Sequence, residues 1–373
     1  MKLDKFLKWR SVWMAAAILM IIIYHSGLGT QEMKLFPLGA LRRYGYGGVD
    51  IFMFASGIGC YASYTRDRNF GRFLKKRALR ILPAYWIVLI VWMLVKVLLC
   101  GEKLYVSQIV GNIFCVQNFT GNGNDFNWYI SAIWLFYLLT PLFVLLADWT
   151  GNAAMASGEP DRTRRAVRKR EVLLLLVSLL FTVSFWNSST YIVTITRIPV
   201  FLLGMLVMKR FQESEGSGIV ITRRQMLAML GLMAAGCAVL AFGYHRYLDY
   251  MWYKGFYWYP FLLIAPALCL IISLIAEGLE KTAAGRWILN RMNSLGKVTF
   301  EIFMTHITLY YALQHFIDTG RVPGGVPEDL LWAAAIVLAV AAAYPVRLAA
   351  GAAVRVLQKT PLCRTATSSL HRD

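Results

Sequence analysis

The chain has 373 residues, of which 58% are hydrophobic and 16% charged, with a mean hydropathy of +0.53. Soluble domains carry about one quarter charged residues, so this composition excludes an ordinary soluble enzyme and indicates a polytopic membrane protein. The formal net charge of +19 does not indicate nucleic acid, because the basic residues sit in short segments between apolar runs and form no continuous basic face.

The N-terminal MKLDKFLKWR leads into an apolar run that ends in Tyr24, His25, Ser26 and Gly27. No small-residue cleavage site follows, so the run reads as a retained first span. Apolar stretches of spanning length then recur, giving ten in all: 12–28, 47–64, 81–99, 128–148, 172–186, 191–208, 226–243, 257–276, 298–317 and 329–350. The stretch LYVSQIVGNIFCV (104–116) is apolar on one side and too short to span, so it is expected at the interface or as a re-entrant segment. The long polar loop falls at 150–171. The expected fold class is an all-α membrane protein, a single bundle of about ten transmembrane helices. The transmembrane domain is set at 8–350, with a short basic tail at 351–373.

With the N-terminus in the cytoplasm, thirty Lys and Arg fall on the cytoplasmic side and seven outside; Lys96 and Arg197 fall within spans. This is a strong positive-inside bias, and it predicts that both termini are cytoplasmic. The six cysteines are scattered, without CxxC pairs or zinc spacing. Cys100 and Cys115 are the one plausible pair, though small apolar packing is the preferred reading. No metal site is expected.

Polar residues inside spans carry the functional argument, because a charge at mid-bilayer costs roughly 2.5–3.5 kcal/mol on insertion scales. His25 closes the first span, Asp50 opens the second, Arg197 interrupts the sixth, and Glu301 and His306 lie in the ninth. Each has a structural alternative: a helix cap for Asp50, ion-pair glue for Glu301, interhelical packing for His306. Arg197 keeps its charge at any accessible pH. Histidine changes protonation near neutrality, which suits His25 to proton transfer. On the cytoplasmic side, FLKKRALRILPAYW holds Lys75, Lys76, Arg77 and Arg80. A headgroup belt explains their charge, but Arg77 and Arg80 also share one helical face, ready to hold a polyanion. Pro83 is expected in the early turns of the following span.

The stretches AILMIIIYHSG, GGVDIFMFASG, RALRILPAYW, WYISAIWLFYLLTP, RIPVFLLGML and SLGKVTFEIFMTHI, in this order, resemble the acyltransferase family 3 proteins. These are integral-membrane acyltransferases of cell-envelope glycans and related acceptors, and the resemblance covers essentially the whole chain. It implies transfer from cytoplasmic acyl-CoA, acetyl-CoA foremost, to a hydroxyl acceptor. It also implies a multi-pass protein of a bacterial plasma membrane. Carried over by position are the first-span His25 and the paired Arg77 and Arg80. Two departures stand out: Met14 occupies the position eleven before His25 where the family usually has a basic residue, and Ile133 and Trp134 stand where many members have a Glu. Arg10, one turn before Met14, lies about 60° off the His25 face, and its side chain leans toward the N-terminus.

The expected chemistry assigns His25 as the base, with Arg77, Arg80, Lys76 and Lys75 on the donor's phosphates. Arg197 or His306 is expected near the oxyanion. No Ser–His–Asp nucleophile is evident, which favours direct transfer over an acyl-enzyme. Asp50, Asp125 and Trp128 are the candidates for acceptor binding, the last two beside the external loop FTGNGNDFNWY, which turn chemistry also explains. The alternatives are a transporter or glycan exporter and a silent relative acting as a scaffold.

Overall fold

The computed structural model describes residues 1–27, 38–120, 128–151, 160–185, 189–214, 219–247, 254–322 and 324–359. These are helical throughout apart from connecting turns and an isolated bridge between Lys2 and Val220. The chain opens with α1 (Leu3–Lys8), α2 (Arg10–His25) and α3 (Leu38–Tyr44). A 3-10 turn, Gly45–Gly47, joins α3 to α4 (Gly48–Tyr64). Then come α5 (Phe70–Leu94), α6 (Val106–Ile113), α7 (Trp128–Gly151), α8 (Pro160–Val183) and α9 (Ser189–Ile195). The rest are α10 (Ile198–Glu213), α11 (Arg223–Arg246), α12 (Phe261–Leu279), α13 (Ala283–Gly296), α14 (Thr299–Asp318) and α15 (Glu328–Lys359).

Each of the ten apolar stretches is mainly helical in its described residues. Six segments are each long and apolar enough to cross a bilayer: Phe70–Leu99, Trp128–Gly151, Tyr191–Glu213, Arg223–Arg246, Phe261–Leu279 and Glu328–Lys359. The others fall short for identifiable reasons. The 16 residues of α2 and the 17 of α4 rise only about 24–26 Å, against about 30 Å of hydrocarbon. In α8 the first half is strongly basic, and α14 carries Glu301, His306, His315 and Asp318.

The helix ends follow from local chemistry. The Asn69 side chain accepts from the Arg72 N–H and starts α5, and Thr222 and Gln225 form a capping box at α11. This early start moves Pro83 into the interior of α5, where it is buried, rather than into the first turns. At the other end α5 runs on through a π-turn, Val95–Leu99, and Lys96 pairs there with Glu102 at 2.9 Å. The helix α6 lies against α5: the Tyr85 hydroxyl donates to the Asn112 carbonyl and the Trp86 indole to that of Ile113, while Val106, Val110 and Ile113 face outward. Its eight residues are too few to span a bilayer. Cys100 and Cys115 are both free thiols.

Among the described helices α2 is central, packing on α4, α12, α13 and α14. It runs parallel to α14: Gly296 meets the backbone of Ser11 near one end, and the Tyr310 hydroxyl donates to the Ile22 carbonyl near the other. The broadest contact is between α4 and α10, which are also parallel, with Asp50 beside Arg197 and Thr65 beside Gln212. Two glycines bring their backbones together. A Cβ on Gly57 would stand 2.1 Å from the Phe201 carbonyl oxygen, and one on Gly204 would stand 2.2 Å from that of Phe54. Small residues at such crossings are how membrane helices gain packing energy. Gly57→Ala and Gly204→Ala must each push backbone apart and are expected to cost about 1–3 kcal/mol, read as a lower midpoint of thermal unfolding in detergent; unchanged midpoints would refute the close crossing.

Candidate functional site

Two polar centres lie along the axis of the bundle. The first is a cavity of about 490 Å³ between α2, α4, α5, α7, α14 and α15. Arg10, Arg77, Arg80, Lys297 and Arg347 line it, together with Glu301. The face shared by Arg77 and Arg80 is therefore the face turned to the cavity. The Arg77 guanidinium donates to the Gly59 carbonyl at 3.0 Å and lies over the rings of Phe73 and Tyr137. Its Nε finds no partner among the described residues, so the group retains donor capacity. Arg80 is exposed at the mouth. Lys75 and Lys76 precede these arginines on α5 but do not line the cavity.

Helical geometry turns Arg10 away from His25, and its side chain enters the same cavity, with Nη1 3.4 Å from the Ala55 carbonyl. Met14, one turn deeper, lines the wall in the position where a basic residue was expected. Arg347 and Lys297 arrive from α15 and the end of α13, which only tertiary packing reveals; the Lys297 carbonyl accepts from the Arg347 guanidinium.

The second centre is a histidine pair. His306 is fully buried on α14. Its Nδ1 lies 3.1 Å from the Ile302 carbonyl, and its Nε2 lies 3.2 Å from His25 Nδ1. The tautomers follow from the acceptors. A carbonyl only accepts, so His306 carries its proton on Nδ1 and offers the Nε2 lone pair. His25 must then donate from Nδ1, which leaves its own Nε2 as a free base. His25 itself is exposed at the end of α2. Tyr24 stands edge-on to the His25 ring at 4.9 Å.

Between the two centres lies an aromatic layer. The Phe52 and Tyr129 rings are 6.1 Å apart, Tyr129 and Phe303 4.8 Å, and Phe303 and His306 5.5 Å. Phe52, Tyr129 and Phe303 close the deep end of the cavity, and all three are buried. Along α14 the step from Phe303 to His306 is about 4.5 Å of rise, and along α2 that from Met14 to His25 is about 16 Å.

Arg197 occupies neither centre. It sits at the break between α9 and α10, 1% exposed, with its Nε 3.7 Å from Asp50 Oδ1. Its guanidinium donates to the Val193 carbonyl and lies between two indoles, 5.2 Å from the Trp128 ring and 4.6 Å from that of Trp258. Broken backbone at membrane depth persists only where it is buried in protein or lines a water-filled cavity. Here the ion pair and the two indoles surround it. Asp50 and Trp128 are thus gathered around Arg197, and the Tyr24 and Tyr46 rings (5.4 Å apart) lead from this group toward His25. Asp125 lies outside the described residues.

The described helices thus form a bundle with a cationic cavity on one side of an aromatic layer and a histidine pair on the other, an arrangement compatible with group transfer in a membrane. Residues 15–348 match the family model of the acyltransferase domain, so the chain belongs to the acyltransferase 3 family and is a membrane acyltransferase. No curated protein and no solved structure matches it.

Proposed function

We propose that the protein transfers an acyl group, acetyl first of all, from cytoplasmic acyl-CoA to a hydroxyl of a cell-envelope glycan. In this reading the ten helical stretches cross a bacterial plasma membrane and both termini are cytoplasmic, which puts the arginine-lined cavity at the cytoplasmic mouth. The observation that carries the proposal is the chain from the Ile302 carbonyl through His306 to His25, because it leaves a lone pair on His25 Nε2.

Arg10, Arg77 and Arg80 hold the donor's phosphates by charge-assisted hydrogen bonds, with Lys75 and Lys76 adding long-range attraction at the rim. The thioester arm passes the aromatic layer. His25 Nε2 takes the acceptor's hydroxyl proton while the oxygen attacks the thioester carbonyl. The C–S bond breaks, the proton passes from His25 to the departing thiolate, and the ester and free CoA thiol leave, so no acyl-enzyme is needed. His306 uses both ring nitrogens to orient His25 and so acts as a positioning residue rather than an oxyanion donor. Asp50 and Trp128 hold Arg197 at the outer end, where, with Asp125, they are proposed to face the acceptor.

The test is acceptor-dependent thiol release from acetyl-CoA in proteoliposomes, with a panel of envelope glycans. Release is expected, with Arg77→Ala raising the donor KM about tenfold, the equivalent of one charge-assisted hydrogen bond. If no thiol appears with any acyl donor while labelled glycan crosses the bilayer, the protein works as an exporter and the proposal fails.

A further inference from the structure

Beside the main cavity lies a second one of about 360 Å³, within the range of ligand pockets. Arg10 and Gly59 line both. The glycine makes the junction possible: a Cβ there would stand 2.7 Å from Arg10 Nη1, so a larger residue would displace the guanidinium from the place where the cavities meet. The annex is lined on its apolar side by Ile58, Met208 and Phe211, and on its polar side by Ser63 and Arg66.

The arginines of the nearby turn differ in an informative way. Arg68 is paired with Asp148 at 2.7 Å and Arg72 with Asp67 at 2.9 Å. Arg66, the one that lines the annex, has no ion-pair partner among the described residues. An aromatic ring and a thioether offer a face for a planar base. A free guanidinium at one edge and a shared one at the junction suit two separate phosphate groups.

We infer that the annex is a purine-nucleotide subsite, which takes the adenosine 3′-phosphate end of the donor while its diphosphate crosses Arg10 and its thioester arm descends the main cavity. The base stacks on Phe211 and Met208, and Arg66 takes the 3′-phosphate. The inference rests on acyl-CoA as the donor, and it makes the nucleotide, which takes no part in the chemistry, a source of affinity. A donor that ends in phosphopantetheine, on a carrier protein or free, leaves the annex empty and binds less well.

Two measurements separate this inference from the transfer reaction itself. The first is binding of adenosine 3′,5′-bisphosphate, which has no thiol arm, to purified protein in detergent. Binding that CoA displaces, and that Arg66→Ala and Phe211→Ala each weaken about tenfold, is expected whether or not turnover occurs. The second compares KM for acetyl-CoA and acetyl-phosphopantetheine. The same two variants should raise KM for the first alone, with kcat unchanged. Absence of CoA-displaceable bisphosphate binding, or variants that raise KM equally for both donors, would overturn the assignment. A protein that binds the bisphosphate as expected yet releases no thiol would keep the subsite and lose the transfer reading. Both substitutions lie at exposed or half-buried positions, and Met208→Ala provides a third reading of the stacking face.

Discussion

His25→Ala is expected to lower kcat for acyl transfer by 10²–10⁴-fold, the usual contribution of a positioned general base, and to leave the donor KM near the wild-type value. The two effects separate because the proposed site for the donor's phosphates lies at the far side of the aromatic layer from His25. The substitution falls at an exposed helix end, so little stability should be lost and a folding defect will not mimic the result. His306→Phe keeps a ring in the buried site but removes the lone pair that orients His25. It should lower kcat by a smaller factor, about tenfold to a hundredfold. In the double variant the second change should add almost nothing, because His306 acts through His25. Additive losses would mean that His306 acts on the substrate in its own right.

The second large effect concerns stability. Asp50→Ala strands the Arg197 guanidinium at a site where 1% of the residue is exposed. Removing one member of a buried pair typically costs 3–5 kcal/mol, because the remaining charge is left uncompensated. The Trp128 and Trp258 rings stay within 5.2 and 4.6 Å of the guanidinium, so a loss of about 3 kcal/mol is the expected outcome, read as a fall in the thermal midpoint in detergent. The double replacement Asp50→Leu with Arg197→Met removes both charges and should recover much of the loss. If Asp50→Ala leaves the midpoint unchanged, the pair does not hold the break between α9 and α10 closed.

How much of this was legible in the sequence follows from the range of each signal. The helical stretches were readable because hydropathy over about twenty residues is local. Their exact content was not: α5 begins at Phe70, eleven residues before the apolar stretch, because its first turns are basic and capped rather than apolar. That extension buried Pro83 inside a helix instead of at its start. His25, Arg77 and Arg80 were singled out by position and by family likeness, and the structure puts the arginines in one cavity. The pairing of His25 with His306 spans 281 positions in sequence, and no periodicity links residues so far apart. The surroundings of Arg10 were hidden for a related reason. Its direction relative to His25 was derived correctly from helical geometry, but what it meets on α4 and α5 depends on the Gly59 opening in a neighbouring helix. Arg347, Lys297 and the Asp50–Arg197 pair were hidden likewise, since each needs two helices to be set side by side.

The aromatic layer also has an electrical consequence. A water-filled cationic cavity open to one face of a bilayer, with an accessible imidazole beyond it, would form a proton wire if water joined the two. At 100 mV each elementary charge crossing releases about 2.3 kcal/mol, so a continuous wire would drain the membrane that houses the protein. Phe52, Tyr129 and Phe303 interrupt it with rings that neither donate nor relay protons along the axis at that depth, apart from the single Tyr129 hydroxyl. In the proposed reaction the phosphates stay with the arginines on the near side, and only the uncharged arm and its acyl group enter the region where the voltage falls. The group that is moved would then cross the barrier neutral, and acylation would proceed without short-circuiting the membrane.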